Sequence, residues 1–275
     1  MARIAVLQMT SGVDPEANCA TISDAMQEAA EAGAEMLFTP EMSLLLDRDR
    51  SRSAAHIVAQ HQSPYAPRLQ AQASDKGIWL AAGAAVRVEE DRLANRQWLF
   101  RPNAEGPAHY DKMHMFDVDL ADGESWRESN AYRPGDEVMV VDDTPVGRLG
   151  LAICYDLRFP ALFEELGNAR CDCIAIPASF TRPTGAAHWH VMLRARAIEA
   201  SAFVVAAAQV GEHEDGRKTY GHSLVVDPWG EVLLDMGGDA PGLGFADIDL
   251  ARIEEVRRQV PSLANRRPIP RSTAQ

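Results

Sequence analysis

The chain has 275 residues, 46% of them hydrophobic and 24% charged, which is enough apolar material for one large domain or two smaller ones. The formal net charge of -13 argues against nucleic acid or an anionic membrane as a partner, because both need clustered Lys and Arg. No stretch approaches the ~20 apolar residues of a membrane span, and the first ten residues carry no cleavage pattern.

Residues 3–9 read as a buried first strand. Asp14, Pro15 and Glu16 mark a helix start: an N-cap, a proline at the first helical position and an acid that favours the macrodipole. That helix continues over 17–32 and stops at Gly33. Residues 35–39 read as a second strand. A helix over 64–76 closes at Gly77, and a strand over 78–88 follows. Strands over 96–101 and 107–111 are joined by a turn around Asn103–Gly106. Residues 112–136 read as a long loop region, which in a compact domain is usually functional or poorly ordered.

Strands over 138–142 and 149–153 come next, then a helix over 159–168 and a strand over 171–177. A helix over 188–201 precedes strands at 203–208, 223–227, 231–234 and 244–248, with a turn at Asp227–Gly230. Cys171 and Cys173 alternate along their strand and should face opposite ways. No linker or short repeat divides the chain. Strands alternating with helices argue an α/β fold, although the pattern does not give the strand order.

Four cysteines, Cys19, Cys154, Cys171 and Cys173, lack zinc-ligand spacing, and no small disulfide framework suits a chain this long. A reducing cytoplasm fits, and there a free thiol persists. Cys154 is the one to examine. It ends the apolar run Gly150–Cys154, so a strand end would hold its thiol still. The turn after it can aim backbone N–H groups at whatever the sulfur attacks. A lone buried cysteine is more often inert, however. Glu41, just past a short apolar run, and Lys112, opening a long loop, are also bland when taken singly, since such residues are mostly solvated.

Together the three carry a pattern. The segments TPE at 39–41, DKMHMFDVD at 111–119, ICYDLRFP at 153–160, TGAAHWHVMLRARAIEA at 184–200 and GHSLVVDPWGEV at 221–232 resemble the nitrilase, or carbon–nitrogen hydrolase, superfamily. The resemblance runs from Arg3 to Pro261. It implies a Glu41–Lys112–Cys154 catalytic set and a single-domain α-β-β-α sandwich. The domain would span 1–265, with a tail at 266–275. It also implies homodimers or larger homo-oligomers. Within the superfamily the likeness leans to the deaminated glutathione amidases, with omega-amidases next.

Amide hydrolysis needs a nucleophile, a proton carrier and a home for an oxyanion. Cys154 would attack, and Glu41 would carry the proton. Lys112 and the backbone N–H of Tyr155 would face the oxyanion. The resemblance adds Glu128, which otherwise reads as a surface acid, to position Lys112 or substrate. Arg158 has a planar fork that suits a carboxylate, but a salt bridge to Asp156 is an equal alternative. The resemblance assigns its position to the substrate's keto-acid end. Phe180 and Thr184 match positions lining the same pocket, although Pro183 departs from the family's usual loop.

His188 and His190 lie two apart on a helix and do not face one another, so no metal is expected. His114 or His222 paired with Cys154 lacks a local signature. No Gly-rich phosphate loop is present, and no cofactor is expected. The expected function is a thiol amidase acting on a small carboxylate-bearing amide through an acyl-thioester. Deaminated glutathione, cleaved to 2-oxoglutarate and cysteinylglycine, is the preferred substrate. Alternatives are an omega-amidase on 2-oxoglutaramate and a nitrilase. Outside those classes stand a non-catalytic binder of the same fold and a redox protein using Cys154 with Cys171 or Cys173 as resolving thiol.

Overall fold

The computed structural model describes residues 1–120, 123 and 125–272. Residues 121, 122 and 124 of the expected loop region and 273–275 of the expected tail lie outside the described residues.

Strand β1 (Ala2–Gln8) leads into α1 (Pro15–Glu31), β2 (Met36–Phe38) and the short α2 (Arg50–Ser53). Helix α3 (Tyr65–Lys76), β3 (Trp79–Glu89), β4 (Arg92–Phe100) and β5 (Ala108–Asp111) follow, then the short β6 (Asp117–Asp119) and β7 (Ser125–Arg127). The second half runs β8 (Val140–Thr144), β9 (Gly147–Leu151), α4 (Pro160–Asn168), β10 (Cys173–Ala175), α5 (Arg182–Ala200) and β11 (Phe203–Ala206). It ends with β12 (Val210–Glu212), β13 (Lys218–Tyr220), β14 (Leu224–Val226), β15 (Val232–Asp235), β16 (Gly242–Ile248) and α6 (Leu250–Gln259).

Two six-stranded sheets form, ordered β16-β1-β2-β3-β4-β5 and β15-β14-β11-β10-β9-β8. Each has a parallel centre, β1-β2-β3 in one and β9-β10-β11 in the other, and antiparallel flanks. The alternation of side chains along a strand explains the layering. Ala5, Leu7 and Leu37 pack with Cys19, Ile22, Met26 and Leu69 of α1 and α3. Their neighbours Ile4, Val6, Met36 and Phe38 join the core that contains Leu151, Ile174 and Val205 of the second sheet. Leu162, Phe163, Leu193 and Ala197 of α4 and α5 join that same core. The architecture is therefore an α-β-β-α sandwich.

The helix punctuation acts as read. Asp14 accepts from the Glu16 N–H, Pro15 opens α1, and Gly33 lies beyond its end at φ +77°. Helix α3 closes on Gly77 in the left-handed conformation.

Several elements differ from expectation. Helix α5 starts at Arg182, six residues before the expected start at His188. Pro183 sits in its first turn, where no N–H is needed. Strand β10 begins at Cys173, so Cys171 lies outside it, and both thiols are fully buried. The region read as loop contains the β6–β7 pair, with Val118 opposite Trp126. The pairs β6–β7 and β12–β13 have three-residue strands, too short for periodicity to show. Helix α6 was also unread; Asp249 caps it, and it buries Ile253 and Val256. Among the described residues no helix is long and apolar enough to cross a membrane.

The ends of the strands set up the site. Glu41 follows β2, Lys112 follows β5, Cys154 follows β9 and Ser179 follows β10. Ligands of open α/β sheets collect at the carboxyl ends of parallel strands. Gly83 of β3 packs against the backbone that carries Glu41. A Cβ there would lie 2.3 Å from the Pro40 carbonyl oxygen and 2.9 Å from the Glu41 Cα. Backbone cannot yield as a flexible side chain can. Gly83→Ala should therefore lower stability by at least ~1–3 kcal/mol, the usual range for overpacking. Urea unfolding measures it, and an unchanged midpoint would show that the two segments separate freely.

Candidate active site

Glu41, Lys112, Glu128 and Cys154 line one cavity of about 340 Å³. Lys112 Nζ donates to Glu41 Oε1 at 3.0 Å and to Glu128 Oε2 at 2.8 Å. Glu41 Oε2 accepts from the Ser179 N–H at 2.9 Å and the Ser179 hydroxyl at 2.6 Å. The Cys154 thiol hydrogen-bonds to the Glu41 carboxylate. Lys112, Glu41 and Cys154 are 2%, 3% and 7% exposed, so their charges act on one another with little water between.

Asn95 was not read from the sequence. Its amide donates to Glu41 Oε1 at 2.8 Å and to Glu128 Oε1 at 2.9 Å, bridging the two carboxylates. Ser179 and Gln209 were missed as well. The Gln209 amide donates to the Glu41 carbonyl at 3.0 Å and ties that segment to Ser11. No local motif marks these three. They are polar residues on or beside core strands, recognisable only by what they meet.

The backbone is bent at both reacting residues. Cys154 has φ +49°, and Met42, next to Glu41, has φ +55°. Left-handed conformations cost a non-glycine residue roughly 1–3 kcal/mol and persist only when the surroundings impose them. At Cys154 the surroundings do. Its N–H donates to the Pro177 carbonyl at 2.9 Å. Fully buried Asp156 accepts from the Ile153 N–H at 2.9 Å, the Tyr110 hydroxyl at 2.8 Å and the His114 N–H at 3.0 Å. The apolar run thus ends in a 3-10 turn over Cys154–Arg158, with the strand itself stopping at Leu151. Tyr155 lies in the first turn, where N–H groups have no partner within the helix.

The resting charges follow. Burial pushes the Glu41 carboxyl up, but the Lys112 ammonium and the Ser179 hydrogen bonds outweigh it and hold it below the usual glutamate range. Burial, reinforced by the Glu41 charge, pushes the Cys154 thiol well above its ordinary value. Burial would lower Lys112, but Glu128 and Glu41 raise it well above normal. The arrangement is a neutral thiol against a carboxylate, which is itself paired with an ammonium.

Tyr155, Phe180 and Thr184 line the cavity, together with Phe116 and Trp126. Arg158 does not line it. Its guanidinium lies 5.4 Å from the Phe180 ring centroid, and Nη1 is 3.3 Å from His188 Nδ1. The expected salt bridge to Asp156 is not made either, because that carboxylate serves the nucleophile turn. Arg158 backs the aromatic wall instead. Arg48, Arg50, Arg127 and Arg217 line the cavity.

His114 Nδ1 lies 2.7 Å from Asp156, and His222 Nδ1 lies 2.8 Å from Asp235. Neither histidine lines the cavity. His190 does not face His188; it gathers with His222 and Asp235, their donor atoms within 4.8 Å of one another and away from the cavity lining.

The carbon–nitrogen hydrolase family model matches residues 3–258. A deaminated glutathione amidase of Yersinia enterocolitica is 39% identical over 271 residues, covering 97% of this chain and 93% of that protein. A human deaminated glutathione amidase is 37% identical over 270 residues, covering 96% and 82%. Among solved structures, a mutant of the amidase from Nesterenkonia sp. AN1 superposes with a TM-score of 0.80 at 26% identity, covering 97% of this chain and 94% of that one. That structure shows covalent addition of the acetamide moiety of fluoroacetamide at its active-site cysteine. With the family model matched over nearly the whole chain and relatives 37–39% identical over 96–97% of it, this protein belongs to the carbon–nitrogen hydrolases and is a hydrolase of amides.

Proposed function

We propose that the protein hydrolyses deaminated glutathione to 2-oxoglutarate and cysteinylglycine, through an acyl-thioester on Cys154. The observation that carries the mechanism is the buried contact of the Glu41 carboxylate with both the Cys154 thiol and the Lys112 ammonium. The relatives named for that substrate, at 37–39% identity, support its choice.

Cys154 Sγ attacks the amide carbon as its proton passes to Glu41. Charge then develops on the carbonyl oxygen, where Lys112 and the Tyr155 N–H stabilise it. The intermediate collapses, the C–N bond breaks, and Glu41 returns the proton to the leaving amine. A water then attacks the thioester, giving its proton to Glu41, and the thiol leaves with that proton. Glu128 and Asn95 hold Lys112 and Glu41 in register throughout. Four free thiols suit a reducing compartment such as the cytoplasm. Cys171 and Cys173 do not line the cavity, which disfavours them as resolving thiols.

Cys154→Ala should abolish amine release from deaminated glutathione while keeping the thermal midpoint. Intact-mass spectrometry of a slowly deacylating variant should find the acyl group on Cys154. Turnover by Cys154→Ala would sink the mechanism, and preference of the wild type for 2-oxoglutaramate would replace the substrate with that of an omega-amidase.

Glu41→Gln and Lys112→Met should each lower kcat/KM by ~100-fold or more, the usual scale for acid–base and oxyanion groups. The double variant should lose far less than the product, because the groups work as a unit. Independent losses in the double-mutant cycle would show two separate sites.

The pH profile tests the charges. A depressed pKa keeps Glu41 ionised below the ordinary value of ~4.3. The stability linked to it is present above that value and is lost as pH falls through the lower folded-state value. Between about pH 7 and about pH 5, kcat/KM should therefore show no acid limb. An acid limb at ~6.5, in the histidine range, would assign the base elsewhere.

A further inference from the structure

The mouth of the cavity is charged opposite to the chain. The chain's net charge is -13, yet Arg48, Arg50 and Arg217 all line this one cavity. Two of them stand against one ring: the Arg48 and Arg217 guanidiniums each lie 5.0 Å from the Trp126 ring centroid. Arg50 lies 5.3 Å from the Tyr132 ring centroid. Aromatic faces hold a guanidinium flat without taking its hydrogen bonds, so the fork stays available.

Among the described residues, acids are in short supply there. Asp215 reaches Arg217 at 3.1 Å and Arg48 at 3.9 Å. Asp47, which also lines the cavity, is held by Arg52 through two bonds of 2.7 Å. Glu41 and Glu128 are engaged with Lys112. Arg50 makes no ion pair among the described residues, and Arg217 Nε is buried there without a hydrogen-bond partner. Among the described residues, Arg48 and Arg217 thus share Asp215, and Arg50 has no paired acid. Buried donors left without acceptors are costly, and an anionic ligand would relieve them.

We propose that Arg50 and Arg217 form a carboxylate subsite at the cavity mouth, which holds the amide substrate over Cys154. The substrate's chemistry rests on the amidase reading above; the cation cluster does not. Deaminated glutathione offers two carboxylates, one on the acyl side and one on the leaving dipeptide. Both have the chemistry the forks require.

Arg50→Gln is the informative variant, because Arg50 has no ion pair to break among the described residues. Arg217→Gln also loosens buried Asp215, so it serves as a second test. Three amides separate the sources. 2-Oxoglutaramate keeps the acyl-side carboxylate, butanoyl-cysteinylglycine keeps the leaving-side one, and pentanamide has neither. In Arg50→Gln, kcat/KM for the relevant carboxylate substrate, taken as a ratio to pentanamide, should fall roughly 10- to 100-fold, the scale of a hydrogen bond to a charged group. A fall with 2-oxoglutaramate alone places the acyl side in the subsite; a fall with butanoyl-cysteinylglycine alone places the leaving side there. Unchanged ratios for both overturn the proposal.

A measurement without turnover keeps the two readings apart. Glutarate should slow alkylation of Cys154 by iodoacetamide in the wild type, whereas glutaramide should not, and Arg50→Gln should abolish that protection. If the wild type hydrolyses neither carboxylate-bearing amide but glutarate still protects through Arg50, the subsite stands and the substrate reading fails. If glutarate gives no protection beyond that of glutaramide, the subsite fails even where deaminated glutathione is hydrolysed.

Discussion

The buried triad of Glu41, Lys112 and Glu128 is the constraint on which the rest depends. An ammonium that is 2% exposed survives folding only if its charge is met at close range. Lys112 is met twice, and Asn95 binds both of the carboxylates that meet it. Removing one partner from such a buried pair typically costs ~3–5 kcal/mol, because the other is left uncompensated. The ends of β2 and β5 and the segment before Tyr132 must therefore come together for the fold to be tolerable. The same requirement brings Glu41, Lys112 and Cys154 into one place. Here folding and chemistry ask for the same contacts.

The nucleophile is held from the opposite sheet. Tyr110 lies on β5, in the first sheet, and Asp156 follows β9, in the second. Their 2.8 Å hydrogen bond crosses the interface beside Cys154. With His114 stacked on Phe159 at 3.5 Å, the turn has no room to relax out of its left-handed conformation. Cys154 is consequently aimed by the packing of two sheets, and its neighbours in the chain would not suffice. Gly83 does similar service for Glu41 by letting β3 approach its backbone.

Electrostatics divide the cavity into two zones. At its floor the charges are paired and buried, which holds Glu41 ionised and Cys154 protonated. Among the described residues at its mouth, the arginines exceed the acids. In the proposed mechanism a negative ligand is drawn to the rim, while the reacting centre meets a neutral thiol and a base ready to take its proton. The acidity of the remaining surface does not weaken this, since fields inside a low-dielectric cleft are set by the nearest groups.

That Glu41, Lys112 and Cys154 belong together was legible through the motifs around them, TPE, DKMHMFDVD and ICYDLRFP, and the structure brings the three to one cavity. The α/β class was legible because apolar runs of strand length alternate with capped helices. The caps at Asp14, Gly33 and Gly77 are local chemistry and needed no tertiary information. Other features had no local signature. The paired strands β6–β7 and β12–β13 are too short for periodicity to show. Asn95, Ser179 and Gln209 look like any polar residue until the sheets close over them. Arg158 lies outside the cavity lining, against the Phe180 and Tyr155 rings, which its distance from Cys154 in the chain could not reveal. Composition, spacing and capping act between residues near in the chain, so the sequence by itself determined the α/β class and the capped helices, and its motifs carried the likeness to the family. Cation pairing, cavity lining and strained backbone act between residues far apart in it. Only the tertiary structure decided which arginines line the cavity and what holds the thiol in place.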